Sequence, residues 1–352
     1  MTELIFFIHP AASGRSICRN CNQFIAKKTL RIGKNVPNPC DVEDEGWGDM
    51  TLYYHVPCMF KEFDREKAKE RKIKSPDDMG GFDQLKQDEK ETVLRLISDA
   101  NIKREDNSLH QFRCLCTKIS EEDSNTGKTA LVSDYLKKGT SGTGFKGDVY
   151  MLMKFLLTGV VKTKYNLNNA DLVKFFSEIF GTSQKAMEED LEQTEVWEII
   201  RVCFEKSKTV TPLGESIVSL REMDGLLTAL STATQPIRIL KKIIKRCTSY
   251  DLKMMIRLIK HDIGINSKAK YILDGLDPNA YEAFQISEDL KDVVDRVQSK
   301  TLQDLPGMKM KTGNDTESDG ASSSTDLKKT PVKRQAEDEG QTTPSKKSKP
   351  DG

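Results

Sequence analysis

The sequence predicts a small α+β domain built around a metal-ligand cluster, an all-α helical domain behind it, and a disordered C-terminal tail. Three observations carry that reading. Cysteine, glycine, proline and aromatic residues mix with short β-like runs up to about residue 100. Helical spacing of apolar residues then governs about residues 108–299. Residues 301–352 contain no aromatic side chain and few aliphatics.

A chain of 352 residues suits two domains rather than one core. Charged residues make up 31% at only 37% hydrophobic content, a balance that fits a folded body plus a disordered stretch. The longest apolar run, Leu4–Ile8, falls far short of the roughly 18–20 residues that cross a bilayer, so no membrane partner is expected. Acidic Glu3 and the lack of a basic flank do not read as a secretory signal. The eight cysteines are therefore expected to stay reduced. The formal charge of +1 hides strong local blocks.

The expected organisation is a first domain over 1–100 with a trailing helix, a linker over 101–107, a helical domain over 108–299 and a tail over 300–352. Leu30, Arg31 and Ile32 form a β-like run, and Phe82, Leu85, Val93, Leu94, Leu96 and Ile97 mark the trailing helix. In the second domain Asn168 and Asp171 can cap a helix whose apolar face is Leu172, Phe175, Phe176 and Ile179. Ser249 is expected to cap another, with Leu252, Met255, Ile256 and Ile259 on one face and Gly264 as its stop. Asp277 and Pro278 open the next, with Tyr281 and Phe284 inward. No alternating strand of useful length interrupts this block. Residues 301–352 cannot bury enough apolar surface to offset their ordering entropy.

The sharpest chemical signal is a pair of pairs. Cys18 and Cys21 are separated by two residues, as are His55 and Cys58. A tight turn points two thiolates at one ion, and a helix start presents imidazole and thiolate together. Three thiolates and one imidazole suit one closed, tetrahedral structural Zn2+ with no position left for a catalytic water. The competing reading, two unrelated buried pairs, must ignore that one of only four histidines falls into the pattern. The few aliphatics of residues 1–66 suggest that zinc supplies much of this region's folding free energy.

The segments Ser13–Cys21, Thr29–Pro39 and Tyr53–Phe60 resemble the poly(ADP-ribose) polymerase-type zinc finger, in the copy that opens the eukaryotic DNA ligase III family. The resemblance implies recognition of DNA breaks by shape. Carried over by position, it makes Arg15, Arg31 and Lys34 DNA contacts, against the bland reading of solvated surface charges. The loop between the ligand pairs is about three residues longer than the family pattern, and Cys40 stands where an aromatic is expected. Trp47 is then either the residue that stacks on an exposed base pair or part of the core.

The helical block extends the resemblance. Ser141–Asp148 through Lys162–Asn168, then Asp251–Lys268 and Leu273–Tyr281, are similar to the amino-terminal DNA-binding domain of ATP-dependent DNA ligases. This implies an all-α domain that grips the minor groove on both sides of a nick. Two turns, one with Gly144, Lys146 and Gly147 and one with Gly264, Asn266, Ser267 and Lys268, would present backbone N–H groups to phosphates. Each residue could equally be helix punctuation.

Three matches by letter are declined. Gly142, Gly144 and Gly147 fit a dinucleotide-loop pattern but follow no hydrophobic β-run. His110, Cys114 and Cys116 lack a second well-spaced pair and read as helix positions. Lys349, Asp351 and Gly352 match the ligase adenylation motif within a segment expected to form no pocket. Lys333 and Arg334, followed by Lys346, Lys347 and Lys349, resemble a two-part nuclear import signal, so the expected location is the nucleus.

These observations predict a zinc-dependent binder of nicked or broken DNA in DNA repair, not itself catalytic, with other repair proteins as further partners. Two other classes stand beside it: an ATP-dependent DNA ligase whose catalytic part lies elsewhere, and a protein-interaction scaffold.

Overall fold

The computed structural model describes residues 4–38, 49–63, 71–160 and 163–309. Cys40, Trp47, the basic clusters at Lys333–Lys349 and the tail after residue 309 lie outside the described residues.

The apolar run at the amino terminus becomes strand β1 (Phe6–Pro10), followed by β2 (Leu30–Pro37), β3 (Asp49–His55) and the short β4 (Met79–Gly80). They form one sheet in the order β3-β2-β1-β4. The first two pairings are antiparallel, with Ile8 opposite Ile32 and Ile32 opposite Tyr54; β4 runs parallel to β1. Helix α1 (Val56–Phe63) starts directly where β3 ends, and Pro57 in its first turn costs no hydrogen bond there. Helix α2 (Gln87–Asp106) is twenty residues long and has no glycine or proline to stop it.

Phe6, Ile8, Ile25, Ile32, Met59, Phe60, Phe63, Ile73, Val93 and Ile97 close one core. Ile73, Val93 and Ile97 come from beyond residue 66, so later segments add to the few aliphatics of residues 1–66. The side chains are scattered over nearly a hundred residues, and only the sheet and α2 bring them together. Residues 101–106, expected as a linker, are the last turns of α2.

The second core is built by twelve helices: α3 (Leu109–Glu121), α4 (Asn125–Lys138), α5 (Val149–Leu156), α6 (Asn169–Phe180), α7 (Gln184–Asp190), α8 (Val196–Lys206), α9 (Leu220–Ser231), α10 (Pro236–Ile244), α11 (Ser249–Ile259), α12 (Ala269–Leu276), α13 (Ala280–Ser287) and α14 (Leu290–Ser299). Among the described residues of this block there is no strand, only an isolated bridge between Ser108 and Ser219. Asn168 caps α6 with the reciprocal Asp171 contact, and Leu172, Phe176 and Ile179 are buried as their spacing predicts.

Three details differ from expectation. Thr248, not Ser249, caps α11, because its hydroxyl reaches the Asp251 amide while Ser249 turns inward and donates to Glu205. That helix ends at Ile259, and left-handed His261 (φ 55°) rather than Gly264 turns the chain. Residues 300–309, assigned to the tail, continue the domain, with Leu302 and Leu305 buried in its core. No helix among the described residues is long and apolar enough to cross a membrane.

Phe176 sits fully buried beside Phe180, which in turn stacks on Phe204. Phe176→Ala is expected to destabilise the helical domain by about 3–5 kcal/mol, read by urea denaturation followed by circular dichroism. The zinc content of the purified chain should not change, because the two cores are built from separate sets of side chains.

Candidate functional site

Cys18 and Cys21 lie on a tight hairpin. The Cys18 amide donates to Gln23 O (2.9 Å), the Ile25 amide to Ser16 O (2.8 Å), and left-handed Asn22 (φ 56°) makes the turn. The hairpin is tied to the sheet by the Arg19 amide, which donates to Tyr53 O at 3.0 Å. It is tied to α1 by Asn20, whose Nδ2 donates to Cys58 O at 2.8 Å. His55 closes β3 and Cys58 falls in the first turn of α1, so the second ligand pair is fixed by a strand–helix junction.

The four ligand atoms of Cys18, Cys21, His55 and Cys58 all lie within 4.8 Å of one another. His55 Nδ1 is 3.4 Å from Cys21 Sγ and 4.0 Å from Cys58 Sγ. Tetrahedral zinc with sulfur and nitrogen ligands has edges of about 3.5–3.8 Å, so the set needs little movement to close on an ion. The donor chemistry points the same way. Burial raises the Cys18 thiol, but amide donors from Cys21, His55 and Asn20 outweigh it and bring the pKa down to about 6. Burial and the neighbouring sulfurs of Cys18 and Cys21 push Cys58 up to about 12. Three crowded thiols do not all ionise without a cation, and a divalent ion removes that conflict. The site fits one structural zinc. It uses all four ligands and offers no open position for a substrate.

The sequence-derived contact residues fall into distinct settings. Arg15 is exposed beside the ligand hairpin. Arg31 is turned inward: it is only 7% exposed, its guanidinium stacks on Tyr53 at 3.7 Å, and it donates to Ser16 Oγ. Lys34 is half-buried on β2 opposite Leu52.

The turn carrying Gly144, Lys146 and Gly147 follows helix α4, not a strand, as its rejection as a dinucleotide loop requires. It is organised by Asp106 at the end of α2, a carboxylate only 1% exposed. Asp106 accepts from the Thr140 amide and hydroxyl and from the Lys146 amide, at 2.6–2.8 Å. Lys146 Nζ pairs with Asp99 on the same helix. Gly139 (φ 60°) has no room for a side chain, since a Cβ would lie 2.6 Å from Gly144 O.

The second turn is held from below by Lys128, 5% exposed, whose ammonium donates to Ile265 O (3.2 Å) and Asn266 O (2.7 Å). Gly264 (φ 75°) packs against the Arg257 guanidinium, and exposed Asn266 (φ 47°) and Lys268 face solvent, with Ser267 between them half-buried. Lys268 stands at the N-cap position of α12 and makes no side-chain hydrogen bond to the helix.

Asn20, Asp106 and Lys128 were not found by sequence reasoning. Asn20 had a signal, its place inside the Cys18–Cys21 turn. A buried lysine or aspartate that organises a distant turn leaves none. His110, Cys114 and Cys116 lie on α3, and burial raises the Cys116 thiol pKa well above its usual range, which suits a core position and not a ligand.

Residues 9–97 match the family described as poly(ADP-ribose) polymerase and DNA-ligase zinc-finger region, and residues 108–277 match the DNA ligase N terminus. The chain joins a poly(ADP-ribose) polymerase-type zinc finger to a DNA ligase N-terminal domain. It is 40% identical over 203 residues to a DNA ligase of fowlpox virus and 32% identical over 201 residues to one of vaccinia virus, each covering 56% of this chain. It is 29% identical over 194 residues to DNA ligase 3 of Dictyostelium discoideum, covering 54% of this chain and 16% of that one. The chain spans about a third of the length of the viral relatives (35%).

Cys58→Ala is expected to remove the bound zinc, measured as metal per chain after gel filtration, whereas Cys114→Ser keeps it at one. Chelation should release the finger, because structural zinc contributes on the order of 10–16 kcal/mol, against about 5–15 kcal/mol for a whole domain. The helical signal of α3–α14 should persist.

Proposed function

We propose that this chain recognises nicks and breaks in duplex DNA during repair, with the zinc finger and the ligase-type helical domain as two contacts on one duplex. The observation that carries this reading is the joining of the two matched domains by one continuous helix. Its end organises the Gly-rich turn of the second domain. Exposed Arg15 and Lys268, with the backbone N–H groups of Asn266 and Ser267, hold phosphates on either side of the interruption, whereas the amides of Gly144, Lys146 and Gly264 are taken up inside their own turns by Lys138 O, Asp106 and Asp262. An interrupted duplex is cheaper to bend than an intact one, and that difference supplies the preference. Discrimination is by shape and not by base sequence.

The matched regions contribute DNA binding and not nucleotide transfer, so incubation with labelled ATP is expected to leave no covalent nucleotide on residues 1–352. An adenylated lysine there would favour a complete ligase activity in this chain. The basic clusters at Lys333–Arg334 and Lys346–Lys349 direct the protein to the nucleus, where other repair proteins are its partners.

Fluorescence anisotropy at matched salt tests the central reading. The chain should bind a nicked duplex more tightly than an intact duplex of the same sequence, and equal affinities would reject the proposal. Arg15→Ala and Lys268→Ala should each weaken binding to both duplexes and flatten the log-affinity against log-salt slope by about 0.9, one phosphate contact apiece. A salt-insensitive isotherm would instead support a protein-interaction scaffold.

A further inference from the structure

The ligand hairpin has two faces, and zinc explains only one. Cys18 and Ile25 point inward and are fully buried. Ile17 and Phe24, one residue away on each strand, are a directly opposed pair. The hydrogen bonds that flank them, Cys18 N to Gln23 O and Ile25 N to Ser16 O, make them a non-hydrogen-bonded pair, the closer of the two antiparallel arrangements. Alternation then sends both side chains to the outer face. Phe24 is 68% exposed and Ile17 48%. Phe24 is thus the most exposed large apolar side chain among the described residues, and it sits on a domain with a well-filled core of its own.

The charge along this stretch of the chain is of one sign. Residues 11–38 contain six lysines and arginines and no aspartate or glutamate. Of these, Arg15, Arg19, Lys27 and Lys28 are exposed and adjoin Ile17 and Phe24 along the chain. A bare aromatic ring beside cations, on a stretch of chain with no carboxylate, suits a polyanion that carries π-faces. An intact duplex offers a free face only at its ends, and a nicked one only when it is bent open at the break. An unpaired nucleotide offers one.

We propose that Phe24, flanked by Ile17, is a stacking platform for an unpaired DNA base, with Arg15, Arg19, Lys27 and Lys28 holding the adjoining phosphates. The face thereby takes single-stranded segments, such as the overhang or flap at a break. This deepens the DNA-binding reading above and rests on it. It is separate from the two turns of the helical domain.

The test uses the full zinc-loaded chain with three labelled DNAs: oligothymidine, an intact duplex and a nicked duplex without overhang. Wild type should bind oligothymidine, and Phe24→Ala should lower that affinity about tenfold while Phe24→Trp preserves it. Both variants should bind the two duplexes within twofold of wild type. The Lys27→Glu, Lys28→Glu double variant should weaken oligothymidine binding and flatten its salt dependence, and it leaves the ring in place should Phe24→Ala lose its zinc. Binding of the nicked duplex without binding of oligothymidine would overturn this inference and leave the nick reading standing. So would an equal loss by Phe24→Ala on oligothymidine and nicked duplex. Failure of wild type to bind any of the three would sink both.

Discussion

Convergence of Cys18, Cys21, His55 and Cys58 is the constraint on which the first hundred residues depend. The two ligand pairs come from segments separated by 33 residues, and closing so long a loop is entropically costly. Once the ligands meet, one hairpin, one strand end and one helix start are locked together, and Asn20 repeats the connection through Cys58 O. The sheet then has a fixed edge, the buried faces of α1 and α2 have a floor, and α2 leaves the domain in a set direction. The same closure pins the hairpin so that one face is used up by the metal and the opposite face is presented to solvent.

The helical domain solves a different problem with buried charge. Asp106, Lys128 and Asp251 are withdrawn from water, and each is satisfied by several partners. Lys128 meets carbonyls of the second turn. Asp251 accepts from Ser216 and Thr248 and pairs with Arg113 at 3.2 Å. Removing one partner from such a set leaves an uncompensated polar group in a low-dielectric interior. Irregular turns with several left-handed residues are held this way at fixed shapes between rigid helices.

How much of this was legible in the sequence follows from the range of each interaction. The metal set was legible because spacing and residue type carry it without tertiary context. Helical faces such as Leu172, Phe176 and Ile179 were legible from periodicity. Boundaries were not: Thr248 and Ser249 are adjacent hydroxyl residues, and only geometry decides which reaches Asp251 N. His261 turned the chain where a glycine was expected a few residues on, because its ring stacks on Tyr165 and reaches Thr163 O. Arg31 was assigned to phosphate from its position alone, yet Tyr53 from the next strand captures it. Phe24 looked unremarkable in sequence, since a single aromatic between polar residues does not say which way a hairpin faces.

Helix α2 also sets a length. Twenty residues at 1.5 Å each span about 30 Å, near the rise of nine base pairs of duplex DNA. Val93 and Ile97 anchor it in the finger core, and Asp106 anchors it in the turn of the helical domain. It therefore acts as a ruler and not as a tether. The reach between the modules does not vary with linker entropy, and their relative phase is set by helical rotation of about 100° per residue. A single residue inserted between Ile97 and Asp106 would lengthen the ruler by only about 1.5 Å. It would also swing everything beyond it by more than a quarter turn. In this molecule angular register, more than distance, is the quantity that α2 conserves.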